Sequence, residues 1–288
     1  MEEKDDKTKL KKISRKKLRP SLVKVKKLRP ILVKKEPYKR IKVGPQKISK
    51  NLVEERIPSG IRNLDPLIEG GIEKNSVNLL VGSSGTGKSI FSVQFLLEGI
   101  KNNENCLYIT FEEKKKEVYM NMRDFGWDLE KLESQEKFLF LEYTPKKIKT
   151  MLDEGGGIIE SIIFDKKIKR IVIDSISSFE LLFDDGLKKR ESSLSLFNLL
   201  RKWNCTSLLT YEGEALKGKE DVSKTLEFET DSIILLYFIR TNKERERFIE
   251  ILKMRGTKHS RRIYPFSIEK RGIVISKHPC SKEIEKYI

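Results

Sequence analysis

The chain has 288 residues, of which 38% are hydrophobic and 36% are charged, proportions typical of a folded protein with a heavily charged surface. No apolar run approaches the roughly 18 residues that a membrane-spanning helix needs, and the charged first residues lack the apolar centre of a secretion signal. The net charge of +17 at pH 7 is unevenly distributed, which favours a polyanionic or acidic partner for one part of the chain.

That part is the segment 1–50, which holds 20 Lys and Arg against 5 Asp and Glu. Its composition predicts a disordered arm, because too few apolar groups are available to form a core. Within it, residues 16–24 recur as residues 26–34, a ten-residue basic repeat with a proline in each copy. We expect the arm to bind nucleic-acid phosphates or an acidic protein partner, although an arm that serves only as a solvated tail fits the composition equally well. The sequence thus predicts a boundary at residue 50 and a folded domain over 51–288.

A phosphate-binding loop is the clearest motif. Residues 77–81 form a short apolar run that predicts a buried strand, and the apolar spacing after Ser89 predicts a helix. Between them the sequence reads G-S-S-G-T-G-K-S, in which glycines let backbone N–H groups turn inward around an anion at a helix N-terminus. Lys88 is expected to reach the β- and γ-phosphates of ATP, and the Ser89 hydroxyl to hold Mg²⁺. The predicted nucleotide-binding residues are Gly82, Ser83, Ser84, Gly85, Thr86, Gly87, Lys88, Ser89 and Ile90.

Strand and helix patterns alternate beyond the loop and then give way to consecutive strands. The predicted helices cover 114–125, 158–168 and 194–203. The predicted strands cover 106–111, 138–141, 171–174, 207–211, 232–239, 248–254, 264–268 and 273–275. This order predicts an α/β fold with a mostly parallel central sheet flanked by helices and an antiparallel C-terminal edge.

Three carboxylates close predicted strands at the edge of the sheet where ligands bind. Asp174 follows an apolar strand and is placed to hold Mg²⁺ directly or through water. Glu112 and Glu113 follow another and are placed to accept a proton from a water that attacks the γ-phosphate. Strands often end in acidic residues at a solvated rim, so each carboxylate gains weight only from its position beside the loop.

The three cysteines Cys106, Cys205 and Cys280 show no C-x-x-C spacing and cannot all pair. Cys106 and Cys205 begin apolar runs, so we expect both to be buried free thiols. A reduced, cytoplasmic protein is the prediction.

The phosphate loop and the three carboxylates belong to a longer series of short sequence motifs. In its motifs and their order the chain resembles the KaiC-like ATPases of the RecA/RadA superfamily, in particular their archaeal single-domain type. The resemblance covers residues 57–277. Besides the phosphate loop, the motifs that carry it are S-G-I at 59–61, G-G at 70–71, T-F-E-E at 110–113, N-M-R-D-F-G-W at 121–127, V-I-D-S at 172–175, K-M-R-G-T-K-H at 253–259 and Y-P-F-S-I at 264–268.

The resemblance implies a RecA-like core that binds and slowly hydrolyses ATP at the interface of a homo-oligomer, with a hexameric ring among the options. It implies that Glu112 activates the water, with Glu113 beside it, and that Lys253 and Arg255 reach the γ-phosphate held by a neighbouring subunit. Residues alone favour a plainer interpretation of this pair, because lysine commonly protects a solvated strand edge.

Two functions follow from the resemblance as expectations. The first is an ATPase that regulates a partner or nucleic acid through nucleotide-dependent assembly. The second is a nucleotide-gated recombination mediator or adaptor that binds DNA and hydrolyses ATP slowly. The segment 212–229 has mixed charge where recombinases carry a DNA-binding loop, so DNA strand exchange is not expected.

Overall fold

The computed structural model describes residues 55–281, except 184, 214, 217–218, 221–223 and 242–243. The predicted arm, its repeat and the boundary at residue 50 lie outside the described residues. Within them, no helix is long and apolar enough to cross a membrane.

The strands in this part of the chain are β1 (Arg56–Ile57), β2 (Ile72–Glu73), β3 (Val77–Gly82), β4 (Asn105–Thr110), β5 (Phe138–Glu142), β6 (Ile168–Asp174), β7 (Thr206–Glu212), β8 (Ala215–Leu216), β9 (Lys219–Glu220), β10 (Ser232–Arg240), β11 (Arg245–Met254), β12 (Tyr264–Glu269) and β13 (Gly272–Ile275). The helices are α1 (Lys88–Lys101), α2 (Lys115–Arg123), α3 (Leu129–Ser134), α4 (Pro145–Asp153), α5 (Gly157–Asp165), α6 (Ile176–Glu180), α7 (Gly186–Lys202) and α8 (Lys224–Glu229). A 3₁₀ helix covers Asp65–Ile68.

The main sheet has the strand order β13-β12-β11-β10-β3-β7-β6-β4-β5. The six strands from β10 to β5 run parallel to one another. Strands β11, β12 and β13 continue the sheet with antiparallel pairings. The predicted fold class is therefore confirmed, including its antiparallel C-terminal edge.

Alternation along the central strands produces two hydrophobic cores, one on each face of the sheet. Leu79 of β3 belongs to the core covered by α5, α6 and α7, whereas the next residue, Leu80, belongs to the core covered by α1, α2 and α3. Successive side chains of a strand point to opposite faces, so a strand buried on both sides reads as a nearly continuous apolar run. This explains why β3 was recognisable from its composition.

Two predicted helices differ from the observed ones by more than two residues at one end. The helix predicted over 158–168 ends at Asp165, and Ile168 instead begins β6, because Lys167 adopts a left-handed conformation (φ 52°) that breaks the helix. The helix predicted over 194–203 begins earlier, at Gly186, where the Asp185 carboxylate accepts a hydrogen bond from Leu187 N. The same local capping signals precede α3 and α4, which the periodicity of apolar residues did not identify.

The prediction for the thiols is confirmed. Cys106 and Cys205 are buried and free, and burial raises the pKa of both. Such thiols behave as small apolar side chains.

Candidate functional site

The phosphate-binding loop lies at the carboxyl end of β3, between its strand and α1, as the motif predicts. Gly85 and Gly87 have φ values of 78° and 102°, a conformation that side chains rarely adopt. At Gly82 the constraint is space, because a Cβ there would lie 2.7 Å from Thr86 Oγ1 and 2.8 Å from the Leu236 carbonyl oxygen. Thr86 is fully buried, and its hydroxyl donates to the Ser83 carbonyl at 2.8 Å. The loop is therefore held in shape by its own residues.

Lys88 begins α1 and lies within the concave side of the loop. Its Nζ donates to the carbonyl oxygens of Gly82 and Ser83 at 2.8 and 3.0 Å. Burial lowers the pKa of Lys88, while the nearby carboxylate of Glu212 opposes that shift. The ammonium is thus a partly desolvated donor beside the N-terminus of a helix, where a phosphate is favoured.

Asp174, the last residue of β6, is fixed from three sides. Tyr108 of β4 donates its hydroxyl to Oδ2 at 2.5 Å, and Thr210 of β7 donates to Oδ1 at 2.5 Å. The Ser89 hydroxyl donates to Oδ2 at 3.2 Å. A hydroxyl and a carboxylate side by side are the hard oxygen donors that Mg²⁺ prefers. The donor set therefore fits the predicted metal, which Ser89 and Asp174 would hold.

Glu112 and Glu113 follow β4 and have different surroundings. Glu112 accepts a hydrogen bond from Ser175 Oγ at 3.0 Å and another from the Ser178 hydroxyl. Burial raises the pKa of the Glu113 carboxyl, and the charges of Asp174 and Glu112 raise it further. One carboxylate is fixed by hydroxyls, and the other has increased basicity.

These groups face a common pocket of about 530 Å³. Of the residues predicted from sequence, those lining it are Ser84, Gly85, Gly87, Lys88, Ser89, Ile90, Glu112, Glu113 and Asp174. Gly82, Ser83 and Thr86 form the base of the loop. Sequence reasoning did not assign a site role to the further lining residues Asn121, Met122, Asp124, Phe125, Ser175, Glu212, Arg247 and Ile268. Most of these residues lie in sequence motifs of the resemblance, at 121–127, 172–175 and 264–268, whereas Glu212 and Arg247 lie in none of them.

Arg247 of β11 is the main cation that the sequence did not indicate. Its guanidinium donates from Nε and Nη2 to the Gly85 carbonyl, at 3.2 and 3.1 Å, and lies 4.2 Å from the centroid of the Phe238 ring. Burial lowers its pKa. The side chain attaches the tip of the loop to a strand that pairs with β10, a contact between residues 162 positions apart.

Lys253 and Arg255 lie away from this pocket, at the opposite end of the parallel strands. Arg255 contacts Asp231, which pairs with Val77 at the start of β3. Val77 precedes Gly82 by five residues, a separation of about 17 Å along a strand. Both cations therefore lie too far from the loop of their own subunit to touch a nucleotide bound there.

The pair differs in two ways from cations on a solvated edge strand. The strand that carries Lys253 is third from the edge of the sheet, between β10 and β12. Its pairing with β12 covers only Arg247–Ile249, because the chain turns away before Tyr264, so the end of β11 near Lys253 pairs with β10 alone. Arg255 lies one residue beyond the strand, which ends at Met254.

Comparison with known proteins identifies the family. The model of the family described as "ATPase: KaiC" matches residues 57–279, most of the chain. The chain belongs to the KaiC family of ATPases. This confirms the resemblance seen in the sequence and places the phosphate-binding loop, Asp174 and the two glutamates within the matched part.

Relatives of two lengths occur among the matches. The circadian clock protein KaiC3 of Synechocystis is 34% identical over 77% of this chain and 45% of its own length, so the chain spans about half of that clock protein. The UPF0273 protein of Pyrococcus furiosus is 34% identical over 76% of this chain and 93% of its own length. A crystal structure of a KaiC-like protein from Pyrococcus horikoshii has a TM-score of 0.69 at 35% identity, over 77% of this chain and 99% of that one. The matched part thus corresponds to one whole archaeal KaiC-like protein.

Proposed function

We propose that this chain binds ATP with Mg²⁺ and hydrolyses it slowly to ADP and phosphate. The observation that supports the proposal is the convergence, at one end of the parallel strands, of Lys88, the Ser89–Asp174 pair and Glu112. The KaiC family to which the chain belongs is one of ATPases. A phosphoryl-transfer site needs these parts together, because its catalysis depends on positioning and charge stabilisation.

Each residue has a separate task in this proposal. The loop and Lys88 bind the phosphates, and Ser89 and Asp174 hold Mg²⁺, which when bound neutralises charge on the β- and γ-phosphates. Glu112 orients the attacking water and accepts its proton, held in place by the hydroxyls of Ser175 and Ser178. Glu113 assists from the adjacent position.

The test separates binding from hydrolysis. Lys88→Ala should lose nucleotide affinity, because lysine acts on the phosphates of bound ATP before the reaction. Glu112→Gln should keep ATP bound and slow its hydrolysis by about a hundredfold or more, because its carboxylate acts on the water. Calorimetric titration with a non-hydrolysable ATP analogue and single-turnover phosphate release measure the two effects.

Two controls belong to this experiment. Lys101→Ala removes an exposed lysine from the same helix, which forms an ion pair with the nearby Glu98, and should change neither quantity. Glu113→Gln shows whether the second carboxylate contributes to the reaction. If Lys88→Ala and Glu112→Gln lost affinity equally, the assigned roles would be wrong.

The proposal includes a homo-oligomer, with a hexameric ring as one option, in which Lys253 and Arg255 act on the nucleotide of a neighbouring subunit. Their distance from the loop of their own chain supports action across an interface. A guanidinium supplied in this way can stabilise the charge that develops on the γ-phosphate by several kcal/mol. Light scattering with and without a non-hydrolysable ATP analogue tests nucleotide-dependent assembly.

A regulatory role rests on the basic arm. Its 20 Lys and Arg within 50 residues favour a polyanionic or acidic partner, which the ATPase would control through assembly. A nucleotide-gated DNA-binding mediator or adaptor is the second candidate, and the turnover rate per site distinguishes it from an ATPase whose cycle drives regulation.

A further inference from the structure

Lys253, near the end of β11, and Arg255, just beyond it, are both held by the end of a short helix. Lys253 Nζ donates to the carbonyl oxygens of Glu227 and Thr230 at 2.5 and 2.8 Å. Arg255 Nη2 donates to the carbonyl oxygen of Phe228. The last carbonyls of a helix have no partner within it and carry partial negative charge. The end of α8 therefore attracts both side chains.

Asp231 adds the only carboxylate that touches either cation in the described part of the chain. Its Oδ1 accepts from Arg255 Nη1 at 3.3 Å, and its Oδ2 accepts from the backbone N of Val77 at 2.9 Å. Its own backbone N–H donates to the Val77 carbonyl at 2.8 Å, and its carbonyl accepts from Arg255 N at 2.9 Å. One residue thus joins the start of β3 to the chain just beyond β11.

We propose that Asp231 is a positioning residue that holds the Arg255 guanidinium in the orientation in which it meets the γ-phosphate of the neighbouring subunit. The inference rests on the proposed action of Arg255 across the interface, and it identifies the Asp231 carboxylate as the group that orients the Arg255 side chain. Asp231 touches no nucleotide in this scheme. It acts only through Arg255, and it acts on the side of the interface opposite to the phosphate loop.

The physical reason is the freedom of the arginine side chain. Arg255 is about half exposed, with 49% of its side chain accessible, so without a fixed partner it would lose rotamer entropy when it reached a phosphate. A carboxylate attached to the first residue of β3 removes part of that freedom beforehand. The Asp231 carboxylate contacts Nη1 and the Phe228 carbonyl contacts Nη2, so among the described residues the Nε–H has no partner and remains for the phosphate.

The test uses mixed oligomers in which each subunit can supply only one half of a site. Lys88→Ala subunits lack a working loop but keep Arg255, and Arg255→Ala subunits do the reverse. Their mixture is the reference and should regain activity that neither protein has alone. Asp231→Asn is then added to one protein at a time, since asparagine keeps an oxygen for Val77 N but loses the charge that faces Arg255.

We expect the two mixtures to differ. With Asp231→Asn in the Lys88→Ala subunits, the regained kcat should fall about threefold to fivefold, with KM for ATP unchanged, as for the loss of a partly exposed charge pair. With Asp231→Asn in the Arg255→Ala subunits, the regained activity should equal that of the reference. Glu229→Gln, which removes a neighbouring charge paired with Arg201, should leave both mixtures unchanged and is the matched control.

Three results would overturn the proposal. Equal losses in both mixtures would show that Asp231 only stabilises the fold, and a rise in activity would show that it restrains Arg255. If the reference mixture stayed inactive although energy transfer between labelled subunits proved exchange, Arg255 would not act across the interface. That last result would refute the shared interfacial site itself, whereas the first two concern Asp231 alone.

Discussion

Glu113 shows how the site opposes the ionisation of one of its own residues. Its pKa is raised above the ordinary value of 4.5, first by burial and then by the charges of Asp174 and Glu112. A carboxyl group with a raised pKa in the folded state stabilises the protein fully below the pKa of the unfolded chain. That contribution is lost as the pH rises through the higher pKa of the folded state.

Glu113→Gln should therefore make the protein without nucleotide more stable at pH 8, because glutamine resembles the protonated carboxyl and carries no charge into the pocket. The gain in melting temperature should shrink as the pH falls and vanish below about pH 4.5. Melting curves of both proteins between pH 4 and pH 8 measure it. Glu191→Gln, an exposed glutamate of α7 that is not among the charges acting on Glu113, is the control, and an equal gain there would mean that the burial of Glu113 is not the cause.

At the scale of residues, the sequence predicted those site residues that belong to short contiguous motifs or close an apolar strand. Lys88 and Ser89 could be predicted from a contiguous motif, and Asp174 from its position at the end of an apolar strand. Tyr108 and Thr210 carry no such signal, because their hydroxyls become partners of Asp174 only when three strands lie side by side. Which of the observed groups bind nucleotide stays a prediction.

Helix α1 is the element that joins the phosphate loop to the sheet, and its far end packs on a buried arginine. Arg170 of β6 is fully buried, donates to Glu104 Oε2 at 2.5 Å and donates to the carbonyls of Pro58 and Phe95 at 2.8 and 3.0 Å. A Cβ at Gly99 would lie 2.6 Å from its Nε. Glycine at this position therefore lets the helix approach the guanidinium.

Gly99→Ala should destabilise the protein by about 1–2 kcal/mol, because overpacking a buried site costs more than the roughly 1 kcal/mol that alanine gains in a helix. Gly186→Ala is the matched control, since this glycine also lies in a helix but no described residue lies within 4 Å of an added Cβ. Urea unfolding of both variants measures the difference. Equal stabilities would mean that Arg170 moves aside without cost.

At the scale of elements, whether a segment forms a helix or a strand was easier to predict than the residues at which it begins and ends. Strands buried on both faces were recognised because their apolar runs are nearly continuous. Helices α3 and α4 were missed because their starts are marked by the capping residues Asp128 and Thr144 more than by periodicity. The order of the strands in the sheet could not be predicted from the local pattern of apolar residues. It depends on pairings such as that of β3 with β10, whose paired residues are more than 150 positions apart in the sequence.

The whole molecule has a polarity that follows from its parallel strands. The phosphate loop and its carboxylates lie at the carboxyl ends, and Lys253, Arg255 and Asp231 lie at the amino end of β3. In the oligomer proposed above, each subunit would carry complementary halves of a site on opposite ends. Such an arrangement suits a closed ring or a filament, in which each subunit meets the next in the same orientation.

The basic arm provides the remaining prediction, at the scale of the whole chain. If residues 1–50 bind nucleic acid, the contacts are directed to phosphates, because the arm has 20 Lys and Arg but a single aromatic residue, Tyr38, for stacking on bases. Affinity should then fall about a thousandfold between 50 and 200 mM salt, as for about six phosphate contacts, and should depend little on base sequence.

Fluorescence anisotropy with labelled DNA and RNA, on the full chain and on a protein beginning at Asn51, tests this prediction. The shorter protein should lose the binding, since residues 51–288 carry a net charge of only about +2. A full chain in which residues 16–34 are shuffled keeps the charge but destroys the repeat, so it should bind nucleic acid as before. If shuffling abolished binding, the repeat itself would be recognised, as an acidic protein groove would require. Undiminished binding by the shorter protein would instead assign nucleic-acid binding to the folded domain.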